Sequence, residues 1–282
     1  MITFFTRLAV STFLALAVAA SAKAEMRASP WVATAGSSVR LLLPDAPGAD
    51  GVTMGGVEIR LDHGSKTYWR IPGETGVPTT ADFAASTGLS DPQLQFPAPK
   101  AFDDGAGGIA YGYLDSLILP VRFRAMAGAK ARLAVTMEYG VCQKNMCMPA
   151  QAAVSLSLGE GTATTELDQR FTAAQAAVPV AVSYNAAGPL AISGATLVRS
   201  GGDVSLIVTT RVPAGTATPD LFVEGKDVYA TRRTSPDGAA EATFTVTASG
   251  TQAALGEITI TLVAGQAAIE TKLDLDALAK RP

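Results

Sequence analysis

The chain has 282 residues, with 22 Lys and Arg against 25 Asp and Glu, one His and two Cys. That balance, without a basic stretch able to neutralise several phosphates, argues against nucleic acid as a partner. A single histidine rules out a His-rich zinc or copper site within one chain, and no glycine-rich loop leads from a strand into a helix as nucleotide binding requires.

At the N-terminus, Arg7 precedes an almost wholly apolar run over residues 8–20, and Ala22-Lys23-Ala24 supplies small residues where a signal peptidase reads. The run is too short to span a bilayer, which takes about 20 residues. Residues 1–24 are therefore expected to be a signal peptide cleaved before Glu25. Loss of Arg7 and Lys23 leaves 20 basic residues against 25 acidic ones, a net charge of about −5. Charged residues interrupt every later apolar run, so the mature chain is expected to be soluble, not membrane-spanning, in an oxidising, periplasm-type compartment. Residues 25–282 suit two domains better than one.

From Ser37 the pattern is strand-like, with Val39, Leu41 and Leu43 alternating before Pro44-Asp45-Ala46-Pro47-Gly48 turns the chain. Val57, Ile59 and Leu61 alternate again before Asp62-His63-Gly64. The stretch Ile71-Pro72-Gly73-Glu74-Thr75-Gly76-Val77-Pro78 is predicted to be an ordered loop. Further strands are predicted at 93–96, 116–124, 131–139 and 153–158, the set suggesting a β-sandwich. Residues 164–177 read as a helix: Thr164 or Thr165 can cap, Glu166 and Asp168 favour the N-terminus, and Leu167, Phe171 and Ala174 share a face. Strands resume at 204–212, 220–223, 228–232, 242–246, 258–263 and 268–273. This half contains no Cys, His or Trp, and no recognisable chemistry. The expectation is an all-β protein of two β-sandwich domains joined by a short helix, divided as residues 1–24, 25–160, 161–180 and 181–282.

Chemistry concentrates at Cys142-Gln143-Lys144-Asn145-Met146-Cys147. Two strands joined by so short a segment form a hairpin, and there the Cα atoms can approach within the roughly 4.4–6.8 Å a disulfide needs. Such a bridge removes little entropy from the unfolded chain, about 2 kcal/mol, so it is a poor staple, and the fold can survive in both redox states. Three readings stand: a structural bridge, a redox-active pair, and a metal site. Lys144 could favour a thiolate modestly. Met146 and Met148 beside Cys142 and Cys147 make a soft sulfur cluster suited to Cu(I), as in a copper-binding or copper-tolerance protein. A Ser-His-Asp triad would have to use His63, and no nucleophile motif accompanies it.

The segment Leu61-Asp62-His63-Gly64-Ser65-Lys66-Thr67-Tyr68-Trp69-Arg70-Ile71-Pro72-Gly73 is similar to a signature of DsbD-like N-terminal domains, including those of ScsB-type proteins. The likeness continues through Gly76-Val77-Pro78, Phe96-Pro97-Ala98-Pro99, Tyr111-Gly112 and Leu119-Pro120-Val121. It closes on Tyr139-Gly140-Val141-Cys142 and Cys147-Met148-Pro149-Ala150. The resemblance implies an immunoglobulin-like sandwich whose cysteine pair, on adjacent strands, accepts electrons from a membrane-embedded reductase module and passes them to thioredoxin-like and other periplasmic thiol proteins, without a cofactor. On this implication Cys142 and Cys147 are the exchanging pair, with Cys147 the partner-facing sulfur, and the second sandwich is a spacer or docking module.

The sequence departs from the family's pattern. The transmembrane helices and thioredoxin-like domain of full-length relatives do not follow, and the cysteine spacing is shorter. The family's cap loop carries an aromatic next to acidic residues. The corresponding stretch is read here as Gly107-Gly108-Ile109-Ala110-Tyr111-Gly112, with Ala110 where the cap aromatic is expected. Shielding is then expected from Tyr111 or Tyr113, with Tyr68 and Trp69 packing near the pair. A rival outcome is a structural or interaction module of two sandwiches with an inert disulfide.

Overall fold

Alternating apolar residues give strands because the pleat sends successive side chains to opposite faces, so one row can be buried. The computed structural model describes residues 25–280, apart from residues 75, 104–107, 144–145, 201–202, 216–217, 228, 237–238 and 249–255. The expected signal peptide, Lys144 and Gly107 therefore lie outside the described residues. The first half contains β1 (Met26–Ala28), β2 (Val32–Thr34), β3 (Ser37–Pro44), β4 (Val52–Leu61), β5 (Ser65–Gly73), β6 (Thr80–Asp82), β7 (Leu89–Leu94), β8 (Lys100–Asp103), β9 (Ile109–Leu114), β10 (Ser116–Ala125), β11 (Arg132–Gln143), β12 (Met146–Ser157) and β13 (Thr162–Ala163). After α1 (Thr165–Ala176) come β14 (Val180–Ala181), β15 (Ala191–Ser200), β16 (Asp203–Arg211), β17 (Asp220–Glu224), β18 (Tyr229–Arg233), β19 (Glu241–Ala248), β20 (Glu257–Ala264), β21 (Ala267–Asp274) and α2 (Leu275–Ala279).

Two sheets form the first sandwich. One runs β13-β1-β3-β4-β10-β7 with β2 also paired to β3, and the other runs β12-β11-β5-β9-β8 with β6 also paired to β11. They bury a common core that includes Val39, Leu41, Ile59, Leu119, Phe123, Leu133 and Met137. The second sandwich stacks β14-β21-β20-β17 on β15-β16-β19-β18 around a core of its own. The chain is thus all-β, with two sandwiches.

Several strands run further than the sequence pattern indicates. β11 continues past Tyr139 to Gln143, and β12 begins at Met146 rather than near residue 153. Pro149 is tolerated because β12 is an edge strand, where a missing N–H breaks no ladder on the open side. β5 was not expected as a strand; it includes Ile71-Pro72-Gly73, read from sequence as loop, and its pairing with β9 shifts register between Tyr68 and Gly73. No element was expected over β5, β9, β15 or α2, nor over the short strands β1, β2, β6, β8, β13 and β14.

The predicted helix is α1, capped by Thr164, whose Oγ1 accepts a hydrogen bond from the Leu167 N–H at 3.3 Å. It is not a free connector. Leu167 and Phe171 bury against Met26, Ala28, Leu42 and Ile118, and the Met26 N–H donates to Asp168 at 2.8 Å. Arg170 and Arg40 both reach Glu58, a carboxylate only 1% exposed. Burying that charge is tolerable because both its oxygens are paired.

The sandwiches are joined by side chains as well as by the chain. Phe222 of β17, 1% exposed, inserts at the edge of the first core, edge-on to Trp69 at 5.8 Å and to Tyr111 at 4.8 Å between ring centroids. Arg70 donates through Nε to Glu224 at 2.9 Å and through Nη2 to Glu270 at 2.5 Å. Burial opposes the charged guanidinium, but Glu224 and Glu270 outweigh it and raise the Arg70 pKa, so Arg70 stays charged at any ordinary pH. Substituting Phe222→Ala is expected to cost about 3 kcal/mol and to split calorimetric unfolding into two transitions, one per sandwich. A single transition at an unchanged temperature would show that Phe222 does not couple them.

Candidate redox site

Only residues 144 and 145 separate β11 from β12, and the antiparallel register sets Cys142 directly opposite Cys147. The two sulfurs are bonded, with Cα atoms 4.0 Å apart. On the other side of β11, Cys142 pairs with Lys66 of β5. One cross-strand row thus reads Lys66, Cys142, Cys147, with all three side chains on the outer face of the six-stranded sheet.

The two sulfur-bearing residues differ sharply in access. Cys142, on an inner strand, is 0% exposed, whereas Cys147, on the edge strand, is exposed. Tyr68, two residues beyond Lys66 and on the same face, covers the pair. Its hydroxyl donates to Cys142 Sγ at 2.9 Å and lies 3.4 Å from Cys147 Sγ. Tyr68, Ala110 and Cys142 form a small buried cluster of their own, with Phe102 packed against it.

Two glycines make room for the tyrosine ring. A Cβ on Gly76, which also has a φ of +115°, would fall 2.3 Å from Tyr68 Cε1. One on Gly140 would sit 3.1 Å from the opposite edge of the ring. The segment after β5 and the end of β11 therefore clamp the ring over the sulfurs.

Strand alternation separates the aromatics named from the sequence. Tyr68 lies on the disulfide, but Trp69 and Tyr111 face the other way, into the first core and onto Phe222. Tyr113 joins them, donating its buried hydroxyl to the Pro97 carbonyl at 2.8 Å. Burial pushes the Tyr113 phenol well above its usual range despite Arg70, and raises that of Tyr111 despite a hydrogen bond with Thr231. Both stay neutral and structural.

Sequence reasoning overlooked Phe102. β8 pairs Phe102 with Ala110 of β9, which puts its ring beside the Tyr68 cluster. The signal was present, since Phe102-Asp103-Asp104 is an aromatic followed by two acids. Ala110 is the small residue beneath the cover and not the cover itself. The sulfur ligands proposed for copper are likewise divided. Met146 and Met148 alternate with Cys147 on β12 and so point to the opposite face. Met148 reaches towards Gly36 beside Val141, and Met146 is 61% exposed. Among the described residues no group of three or more His, Cys, Asp or Glu could hold a metal ion.

Comparison with known proteins fits this geometry. The family model for the thiol:disulfide interchange protein DsbD, N-terminal, matches residues 39–158, which contain both cysteines. The first sandwich is a DsbD N-terminal-like domain. The chain is also similar in structure to the N-terminal periplasmic domain of ScsB from Proteus mirabilis, with a TM-score of 0.67 at 20% sequence identity. That similarity covers 88% of this chain and 98% of the other, so the shared fold reaches beyond the DsbD N-terminal-like domain into the second sandwich. No curated protein matches the sequence. The DsbD N-terminal-like domain is an immunoglobulin-like β-sandwich and a thiol–disulfide interchange domain by family. Among the described residues, no helix is long and apolar enough to cross a membrane.

A hydrogen bond donated to a thiolate lowers its pKa, so Tyr68→Phe should raise that of the reduced Cys142 thiol by about one unit. Titration of thiolate ultraviolet absorbance in a Cys147→Ser background measures this.

Proposed function

We propose that this protein relays electrons in the periplasm by thiol–disulfide interchange at Cys142 and Cys147, taking them from a membrane-embedded reductase module and passing them to thioredoxin-like and other periplasmic thiol proteins. The observation that carries this reading is the asymmetry of the pair, one sulfur exposed on an edge strand and the other buried under a hydroxyl donor. A structural staple needs neither.

In the accepting direction, a partner thiolate attacks Cys147 Sγ. The new S–S bond joins partner to Cys147, the Cys142–Cys147 bond breaks, and its electron pair leaves on Cys142 as a thiolate. Lower thiol pKa makes a better leaving group, and the Tyr68 O–H is already 2.9 Å from the sulfur on which that charge develops. A second partner thiolate, or Cys142 itself in the reverse direction, resolves the mixed disulfide. The net exchange is two electrons and two protons between the dithiol and disulfide pairs.

The hairpin survives the change because twelve cross-strand residue pairs hold β11 to β12 without the bond. Loss of the disulfide then costs only about 2 kcal/mol. The name of the matching family and the periplasmic location of the ScsB domain support the same compartment and chemistry. The copper reading gains no such support, because the methionines and cysteines occupy opposite faces.

The decisive experiment traps the intermediate. Cys142→Ser leaves exposed Cys147 without its resolving partner and is expected to accumulate a mixed disulfide with a thioredoxin-like protein, whereas Cys147→Ser is expected to accumulate little. The pair's reduction potential, equilibrated against a thiol buffer, is expected above about −300 mV. A lower value together with no trapped adduct would make the disulfide an inert bridge.

A further inference from the structure

The ladder between β5 and β11 is short. It sets Ser65 opposite Gln143, Lys66 opposite Cys142 and Thr67 opposite Val141, and stops there. Further back along β11, from Glu138, the partner strand is β6, which begins at Thr80. The sheet therefore forks, and Tyr68 is the first residue of β5 past the fork. A buried backbone carbonyl needs a donor. For Tyr68 a side chain supplies it: Thr79, 2% exposed, donates through Oγ1 to the Tyr68 carbonyl at 2.6 Å. The Thr79 N–H donates to the next carbonyl, that of Trp69, at 3.4 Å.

Those two bonds hook the segment Gly76-Val77-Pro78-Thr79 onto β5 at the residue whose ring covers the disulfide. The other end of the segment bounds the ring itself. Gly76 lies against one edge of it, and Val77 sits beside Gly140, which lies against the other. Pro78 removes backbone freedom between the hook and the grip. The hydroxyl held in this way lies 2.9 Å from Cys142 Sγ and 3.4 Å from Cys147 Sγ. Lys66, the register neighbour of Cys142, sends its ammonium instead to the Asp103 carbonyl and the Phe102 ring.

We propose that Thr79 is a positioning residue for the interchange chemistry, its buried hydroxyl holding the Tyr68 backbone, and through it the phenol, on Cys142 Sγ. The assignment rests on the interchange reading for its biological meaning, since the charge that the phenol meets is the thiolate leaving on Cys142. A hydrogen bond weakens steeply with distance and angle, so a displacement of β5 by about an ångström at Tyr68 removes it. Valine fills the space of threonine but cannot donate. Thr79→Val therefore takes the hydroxyl donor from the Tyr68 carbonyl and frees the fork to relax, while the ladders on either side keep the sheet intact.

The test uses the thiol itself and no biological partner. In a Cys147→Ser background, Thr79→Val is expected to raise the Cys142 thiol pKa by about half a unit, a roughly threefold loss in the thiolate-forming equilibrium. Thr79→Ser, which restores the donor, is expected to titrate as wild type. Added to Tyr68→Phe, Thr79→Val is expected to change nothing further, because the two act through one hydrogen bond. Thr79→Ala removes the hydroxyl without adding a methyl and carries the same expectations, and circular dichroism shows which variants are folded. The assignment is overturned if the folded variants lacking the hydroxyl leave the thiol pKa where it is, if Thr79→Ser shifts it equally, or if the shift adds in full to that of Tyr68→Phe. A chain that shows these shifts yet traps no thioredoxin-like partner keeps Thr79 as the holder of the phenol and loses the interchange reading. A chain that traps a partner without them loses only the role of Thr79.

Discussion

The site depends on the antiparallel ladder between β11 and β12. It alone holds Cys142 opposite Cys147, and it does so through backbone hydrogen bonds that do not require the sulfurs to be joined. Where most disulfides link distant segments and restrain the unfolded chain, this one closes a loop of six residues and adds little stability. Chemistry at the sulfurs is thereby decoupled from folding.

The same sheet has two faces with different duties, and adjacent residues of one strand serve both. On β5, Tyr68 covers the disulfide while Trp69 and Arg70 hold the second sandwich through Phe222, Glu224 and Glu270. On β9, Ala110 lies under the tyrosine while Tyr111 packs on Phe222. The second sandwich, which carries no evident chemistry, thus braces the strands that build the floor of the site.

Much of this was legible in the chain. The helix expected over residues 164–177 is α1 with its cap at Thr164, because capping and a short apolar stripe are local signals. Most long strands were found from alternation. Their ends were missed where Gly140, Pro149 and Pro72 look like breakers, and each has a local reason to be tolerated: Gly140 admits the Tyr68 ring, Pro149 lies on an edge strand, and Pro72 sits where the β5–β9 register shifts. Shielding was expected from Tyr111 or Tyr113 with Tyr68 and Trp69 near the pair; of these Tyr68 lies on the sulfurs, and Phe102, followed by two acids in the sequence, packs beside it from β8.

The sequence by itself determined where chemistry could reside, since only two cysteines and one histidine are present, and a spaced set of motifs pointed to the family whose model matches residues 39–158. Composition and alternation also determined an all-β chain, because short alternating runs can bury a face only as strands. What the tertiary structure decided was access: which cysteine is exposed, which of four aromatics covers it, and that Met146 and Met148 turn away. Those outcomes follow from sheet order and from which strand forms the edge. Both are set by pairings between residues far apart in the chain, such as Lys66 with Cys142 and Phe222 with Trp69, and no local pattern encodes them.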